Sequence, residues 1–393
     1  MSNPHPATTG QTEAIALPPL GRQLSACVED PPPRLPPPLT PQKPHPPQLT
    51  RLVQLHCYLI IFSILGTLSR IGLVSITTYE ATPLPPLFWP QFAGCLLMGF
   101  FLEDKTLFPV STKTTEPLYL GLTTGYCGSV TTFSSFILGA FEQLANTALV
   151  HPRRRTRDDV AALLAYVIGT IAISLGGLQV GAHLAAFSKG LLRKLRCRWA
   201  DMLAVPIGLG VWVASVIMAV FIRKWRGDVL FACIFSPPGA IVRYWVSRLG
   251  NPMCKAFPVG TFMVNMLGTA ALAGLLAGRY VHSGGNTCDV LRGLGEGFCG
   301  CLTTVSTFVV EVQGLRTGHG YTYAGASIVV GLCLTVLILG SYADMGTWDR
   351  KYSMLEIKRA VDCKLFGRLT SIVYQTAPPN TDRLTYHRIE MSN

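Results

Sequence analysis

Nine stretches of this chain are apolar for long enough to cross a hydrocarbon core, at about 53–78, 86–102, 117–146, 159–186, 203–222, 229–249, 256–278, 291–313 and 321–346. A crossing takes roughly 20 residues of helix, and lipid offers no partner to a backbone N–H or C=O. Each stretch must therefore satisfy its own backbone. The runs are continuously apolar rather than alternating, which predicts helices instead of barrel strands. Composition agrees: 14% of the 393 residues are charged and 49% are apolar, too little polar surface for a soluble protein of this length.

The second half of this region repeats the first. "GTLSR" at 66–70 matches "GAIVR" at 239–243, and "GYCGSVTTFSSF" at 125–136 matches "GFCGCLTTVSTF" at 297–308, offsets of 173 and 172. Matching offsets of this kind mark duplicated structural units. Each unit has four spans, and the fifth, "MLAVPIGLGVWVASVIMAVFI" at 202–222, has no counterpart. With one unmatched helix between them, spans 1 and 6 enter from opposite sides. The expected fold is thus an all-α membrane protein of nine transmembrane helices, two inverted four-helix repeats joined by a linker helix. The divisions are a proline-rich tail over 1–50, a first repeat over 51–187, a linker with the fifth span over 188–226, a second repeat over 227–347 and a C-terminal tail over 348–393.

Other functions are disfavoured by what the residues lack. The first 50 residues hold 14 of 28 prolines and cannot build a core, so a solvated tail is expected. Met1 leads into polar residues without a short apolar segment, so the first span is expected to act as the insertion signal. The net charge of +12 sits in short loops, "HPRRRTR" at 151–157, "KGLLRKLRCRW" at 189–199, "RKWR" at 223–226 and "DRK" at 349–351, where lipid headgroups rather than nucleic acid are the expected partners. The 12 cysteines fall mostly within spans with no metal spacing, and the spans hold no Ser-His, paired-carboxylate or metal constellation, so no enzyme is expected.

The two Gly, Ser and Thr spots fall at matching depth in the two repeats. One such spot alone is explained by close helix packing, but two at mid-membrane point to broken helices facing a polar cavity. The breaks are expected at Gly125–Gly128 and Gly295–Gly300. Carbonyls freed there suit a hard cation, while nearby hydroxyls and positive ring edges suit an anion.

"GAIVR" (239–243), "GTFMVNMLG" (260–268) and "GCLTTVSTF" (300–308) reproduce in order three motifs of the fluoride channel family, and the membrane region as a whole resembles its two-domain eukaryotic form. The resemblance implies passive, selective fluoride conduction at the plasma membrane by a single-chain pseudo-dimer, with neither catalysis nor energy coupling. It implies that Asn265 donates its amide N–H groups to fluoride beside Thr261, that Phe133 and Phe308 are pore rings flanked by Ser134 and Thr304, and that Tyr323 and Ser327 complete the path. It also implies a structural central sodium ion on the carbonyls of Gly128, Thr131, Gly300 and Thr303, and a vestibule or structural role for Arg70, Arg243 and Glu311.

Departures from the family pattern separate the halves. Gln91 stands where the second half has Asn265, Leu87 where it has Thr261, Gly139 where it has Glu311, and Val305 where the first half has Phe133. The set Phe133, Phe308 and Asn265 is complete, whereas Gln91, Phe136 and Val305, with Tyr166, Thr170 and Ser174 of span 4, are expected to form a vestigial pore. The alternatives are an inverted-repeat secondary transporter, exchanging fluoride for protons or carrying an organic solute, and a scaffold acting through its proline-rich tail.

Overall fold

The computed structural model describes residues 48–79, 82–108, 110, 113–145, 155–188, 198–281 and 285–344. The N-terminal tail up to residue 47, the C-terminal tail with its basic turn at 349–351 and the loop cluster at 189–197 lie outside the described residues, as does most of the 151–157 cluster. Among the described residues every regular element is helical. The first half comprises α1 (Gln48–Thr77), α2 (Phe88–Glu103), α3 (Pro117–Leu120), α4 (Gly128–Val130), α5 (Phe133–Ala145) and α6 (Thr156–Phe187). Then come α7 (Arg198–Phe221) and the second half, α8 (Phe231–Gly250), α9 (Val259–Val281), α10 (Gly285–Gly293), α11 (Gly300–Leu302), α12 (Ser306–Gly314) and α13 (Thr317–Asp344).

Seven helical stretches are long and apolar enough to cross a membrane, where nine were expected. The other two expected spans are α2, only 16 residues long, and the interrupted stretch from α3 to α5. Large apolar side chains point outward on the long helices, with Ile168 at 64% and Leu337 at 68% exposure. Such faces are compatible with lipid and not with water.

The breaks lie a few residues beyond the expected glycines. Gly121–Cys127 and Leu294–Cys299 remain helical as wide turns with i→i+5 bonding, and the chain becomes extended only at Thr131 (φ −90°, ψ 146°) and Thr303 (φ −97°, ψ 154°). The physical reason is that glycine permits a break without requiring one. A β-branched Thr prefers extended backbone, and its hydroxyl can replace a lost helical hydrogen bond.

Contacts between the halves are reciprocal. In the first half α5 packs on α9 and α13, and in the second α12 packs on α2 and α6, while α1 lies against α8. The Gly-x-x-x-Arg pairs explain this closeness. A Cβ on Gly66 would come within 2.7 Å of Tyr126 O, and one on Gly239 would collide with Phe298 O, so both glycines let their helix touch the broken segment of its own half. Four residues on, each arginine reaches the other half.

The linker α7 rests on α1 and α8. Pro238 has no N–H for the carbonyl of Ile234 one turn earlier, and Trp212 of α7 supplies the missing donor through Nε1 at 3.0 Å. A backbone defect in α8 thus becomes the anchor for the linker. Outside the spans, the Lys113 ammonium donates to the carbonyls of Phe101 and Leu102 at 2.9 Å and to that of Asp104, closing the C-terminus of α2. Burial lowers its pKa, opposed in part by Asp104.

Candidate anion path at the broken helices

At the centre, the two Thr-Thr pairs face each other and cap one another's helices. Thr131 Oγ1 accepts from the backbone N–H of Ser306 at 3.0 Å, and Thr303 Oγ1 accepts from that of Ser134 at 3.1 Å. Side-chain hydroxyls join the pairs: Thr131 lies 3.2 Å from Thr304 and 3.1 Å from Ser306, and Thr132 lies 3.1 Å from Thr303. All of these groups are buried. Helices α5 and α12 start inside the molecule, buried from solvent, and the N–H groups of Ser134 and Ser306 in their first turns are capped from the other repeat.

Asn265 and Gln91 occupy corresponding positions against this centre but bond differently. The Asn265 amide holds Thr304 at both ends, Oδ1 accepting from its N–H at 2.9 Å and Nδ2 donating to its carbonyl at 3.3 Å. One amide hydrogen of Asn265 remains for another acceptor. Gln91 keeps only the bond from Nε2 to Thr132 O at 2.8 Å, and its Oε1 is buried without a partner. The longer side chain cannot reproduce the two-point grip, and it presents an acceptor oxygen that repels an anion.

The rings follow the same division. Phe133 of the first half meets Phe308 of the second edge-on, centroids 5.3 Å apart at 64°, and Phe308 meets Tyr323 at 5.2 Å. Phe136 makes its ring contacts within its own half, edge-on to Phe133 at 5.6 Å and 84° and stacked on Tyr166 at 6.2 Å and 23°, and Val305, fully buried, adds no ring. Edge-on contacts direct ring hydrogens along a path, and those edges carry the positive part of the quadrupole. The hydroxyls of Thr170, Ser174 and Ser327 donate to carbonyls one turn back, those of Tyr166, Thr170 and Tyr323. Their donor hydrogens are therefore committed to their own helices, leaving polar walls rather than free donors.

Glu311, expected in a vestibule or structural role, stands inside a hydrogen-bond cluster. Thr261 Oγ1 donates to it at 2.6 Å, Asn251 Nδ2 at 2.9 Å and Tyr323 OH at 2.8 Å. Ser134 lies with Thr303 at 3.0 Å, at the centre as expected. Asn251 was missed by motif matching. Its only sequence signal is an Asn-Pro pair after a helix, a capping and turn combination, and in the fold its Oδ1 accepts from the N–H of Thr261 at 2.9 Å. In the first half Gly139 replaces Glu311, and the space is filled by the Tyr166 hydroxyl.

Arg70 and Arg243 are 2% exposed and cross between the halves. Arg243 donates to Gly128 O at 2.5 Å, to Thr124 O, and to Thr303 O at 3.3 Å. Arg70 donates to Glu296 O and pairs with its carboxylate at 3.4 Å. Two of the four carbonyls expected to hold sodium, those of Gly128 and Thr303, are thus taken by a guanidinium. A cation sharing those two would face a fixed positive charge across the same oxygens.

The class these features define is a helical membrane protein built from two related units that complete each other at a buried polar centre. Residues 57–182 and 230–341 match the family described as CrcB-like protein, Camphor Resistance (CrcB), and the chain belongs to that family. It is 40% identical over 344 residues to Fluoride export protein 1 of Neurospora crassa, covering 72% of this chain and 65% of that one, so the match spans less than two thirds of that relative. It is 36% identical over 304 residues to Fluoride export protein 1 of Candida albicans, covering 71% and 77%. Fluoride-specific ion channel FluC 1 of Symbiobacterium thermophilum is 40% identical over 106 residues, 26% of this chain and 85% of its own length, the size of one repeat. No solved structure gives a significant match.

Proposed function

We propose that this chain is a passive, selective fluoride channel that exports the ion across the plasma membrane as a single-chain pseudo-dimer with one working pore. The observation that carries this reading is the contact of Phe133 with Phe308 at 5.3 Å, two rings from opposite halves meeting edge-on, with a half-committed Asn265 amide held on Thr304 of the same buried centre. A small, strongly hydrated anion needs a succession of weak donors that replace water without trapping it, and ring edges followed by an amide N–H meet that need. The names of the relatives support the ion assignment.

In this reading the short α2 and the interrupted stretch from α3 to α5 complete nine crossings. The unmatched α7 inverts the second unit, and the reciprocal caps between Thr131 and Ser306 and between Thr303 and Ser134 are the contacts a two-fold axis in the membrane plane produces. The side holding Gln91, Phe136 and Val305 is the vestigial pore. The secondary transporter is not favoured, because the bacterial relatives are named fluoride-specific ion channels.

The test is reconstitution of the full chain in liposomes loaded with fluoride or chloride. Rapid fluoride release that follows the electrochemical gradient, with chloride retained, is expected. Equal release of both ions, or fluoride flux that requires a proton gradient, would overturn the reading.

A further inference from the structure

The linker helix does more than count as a crossing. Between α1, α7 and α8 lies a cleft of about 480 Å³ walled by Ile64, Leu68, Val211, Met218, Ile222 and Trp225, among others. This is within the range of about 300–1,000 Å³ typical of small-molecule sites. Ser215 supplies the hydroxyl on its walls and donates it to Val211 O at 2.9 Å, so the interior has no use for a polar ligand. The occupant of the cleft must be apolar.

Its mouth is different. Ile222 and Trp225 both line the cleft, and between them in a single turn stand Arg223 and Lys224, both exposed. The next basic residue, Arg226, is already committed to the carbonyls of Ala219 and Val220 at the end of α7. Two exposed cations therefore stand at one end of an apolar slot, beside a half-exposed Trp of the kind that settles at headgroup level. The depth also fits. Val211 to Ile222 covers about 16 Å at 1.5 Å per helical residue, about half of a ~30 Å hydrocarbon core, which is one leaflet.

We infer that this cleft is a binding site for an anionic glycerophospholipid, one acyl chain lying between α1, α7 and α8 and the phosphate held by Arg223 and Lys224. The lipid cements the linker to both halves, and the site is independent of which ion the chain conducts. Ordinary boundary lipid would show no headgroup preference and no saturation.

The experiment uses the full chain, delipidated in detergent and titrated with phosphatidylglycerol, phosphatidylcholine or inorganic phosphate while its thermal unfolding midpoint is followed. Phosphatidylglycerol is expected to raise the midpoint saturably and at a lower concentration than phosphatidylcholine, with inorganic phosphate inert. R223Q/K224Q is expected to weaken the phosphatidylglycerol effect roughly fivefold for each charge removed. Ser215→Trp, which fills the slot, is expected to abolish it, and Ala214→Leu to weaken it should the larger side chain prevent folding. A single symmetric gel-filtration peak and a cooperative unfolding transition in detergent report whether each variant folds. Equal potency of the two lipids, an unchanged preference in folded R223Q/K224Q, or an equal shift with inorganic phosphate would overturn the site without touching the channel assignment.

Discussion

The hydroxyl of Thr131 accepts the backbone N–H of Ser306 at 3.0 Å, although 175 residues of chain separate them. Its mirror relation joins Thr303 to Ser134. Helix caps are usually local, donated by the residue just before the helix. In this protein each repeat supplies the cap of the other, so neither broken helix is complete in an isolated half.

Removing a cap should therefore cost about 1 kcal/mol per site, within the usual range of about 0.5–2 kcal/mol. Thr131→Val and Thr303→Val are each expected to lower the unfolding midpoint in detergent by a similar amount, since the two bonds are equivalent. A loss confined to one of them would show that the caps are not reciprocal in solution.

Asn265 and Gln91 should differ sharply in flux. Asn265→Ala is expected to reduce fluoride efflux by at least the roughly tenfold that a lost interaction of about 1.4 kcal/mol represents, while Gln91→Ala leaves it near wild type. Equal losses would refute one working pore.

Gln91→Asn tests the same asymmetry through stability. The shorter amide can grip Thr132 as Asn265 grips Thr304, and it removes the orphan Oε1. Satisfying a buried acceptor is worth about 1–3 kcal/mol, so a higher unfolding midpoint is expected. A lower one would mean that the backbone around Gln91 has adapted to the longer side chain.

The guanidinium of Arg243 on Gly128 O and Thr303 O carries a prediction about sodium. Purifying and assaying the protein with choline in place of sodium is expected to leave both efflux and unfolding midpoint unchanged. A loss reversed by returning sodium would restore a cation to that centre, with Arg243 displaced.

Trp212→Phe removes the donor that Ile234 O gains in place of the N–H absent from Pro238. The expected cost is about 1 kcal/mol for a partly buried carbonyl left unpaired, read as a lower unfolding midpoint. No change would mean that α7 is held by packing alone.

What the sequence determined by itself was the solvent, the duplication and the identity of the polar residues. Apolar runs of membrane length leave a chain no alternative to helices, and matching offsets from Arg70 to Arg243 and from Thr131 to Thr303 reveal two copies whatever their geometry. The breaks were misplaced by a few residues because Gly125 and Gly128 merely allow a turn that Thr131 makes. Glu311 and Asn251 could not be seen as partners, since their bond joins residues 60 apart and depends on how α8, α9 and α12 converge. Likewise, only the tertiary structure decided that each arginine serves the opposite repeat and that Arg243 takes carbonyls a cation was expected to hold. Periodicity and motif spacing report what one segment can bury, whereas a hydrogen bond between distant segments depends on the three-dimensional path that brings its two ends together.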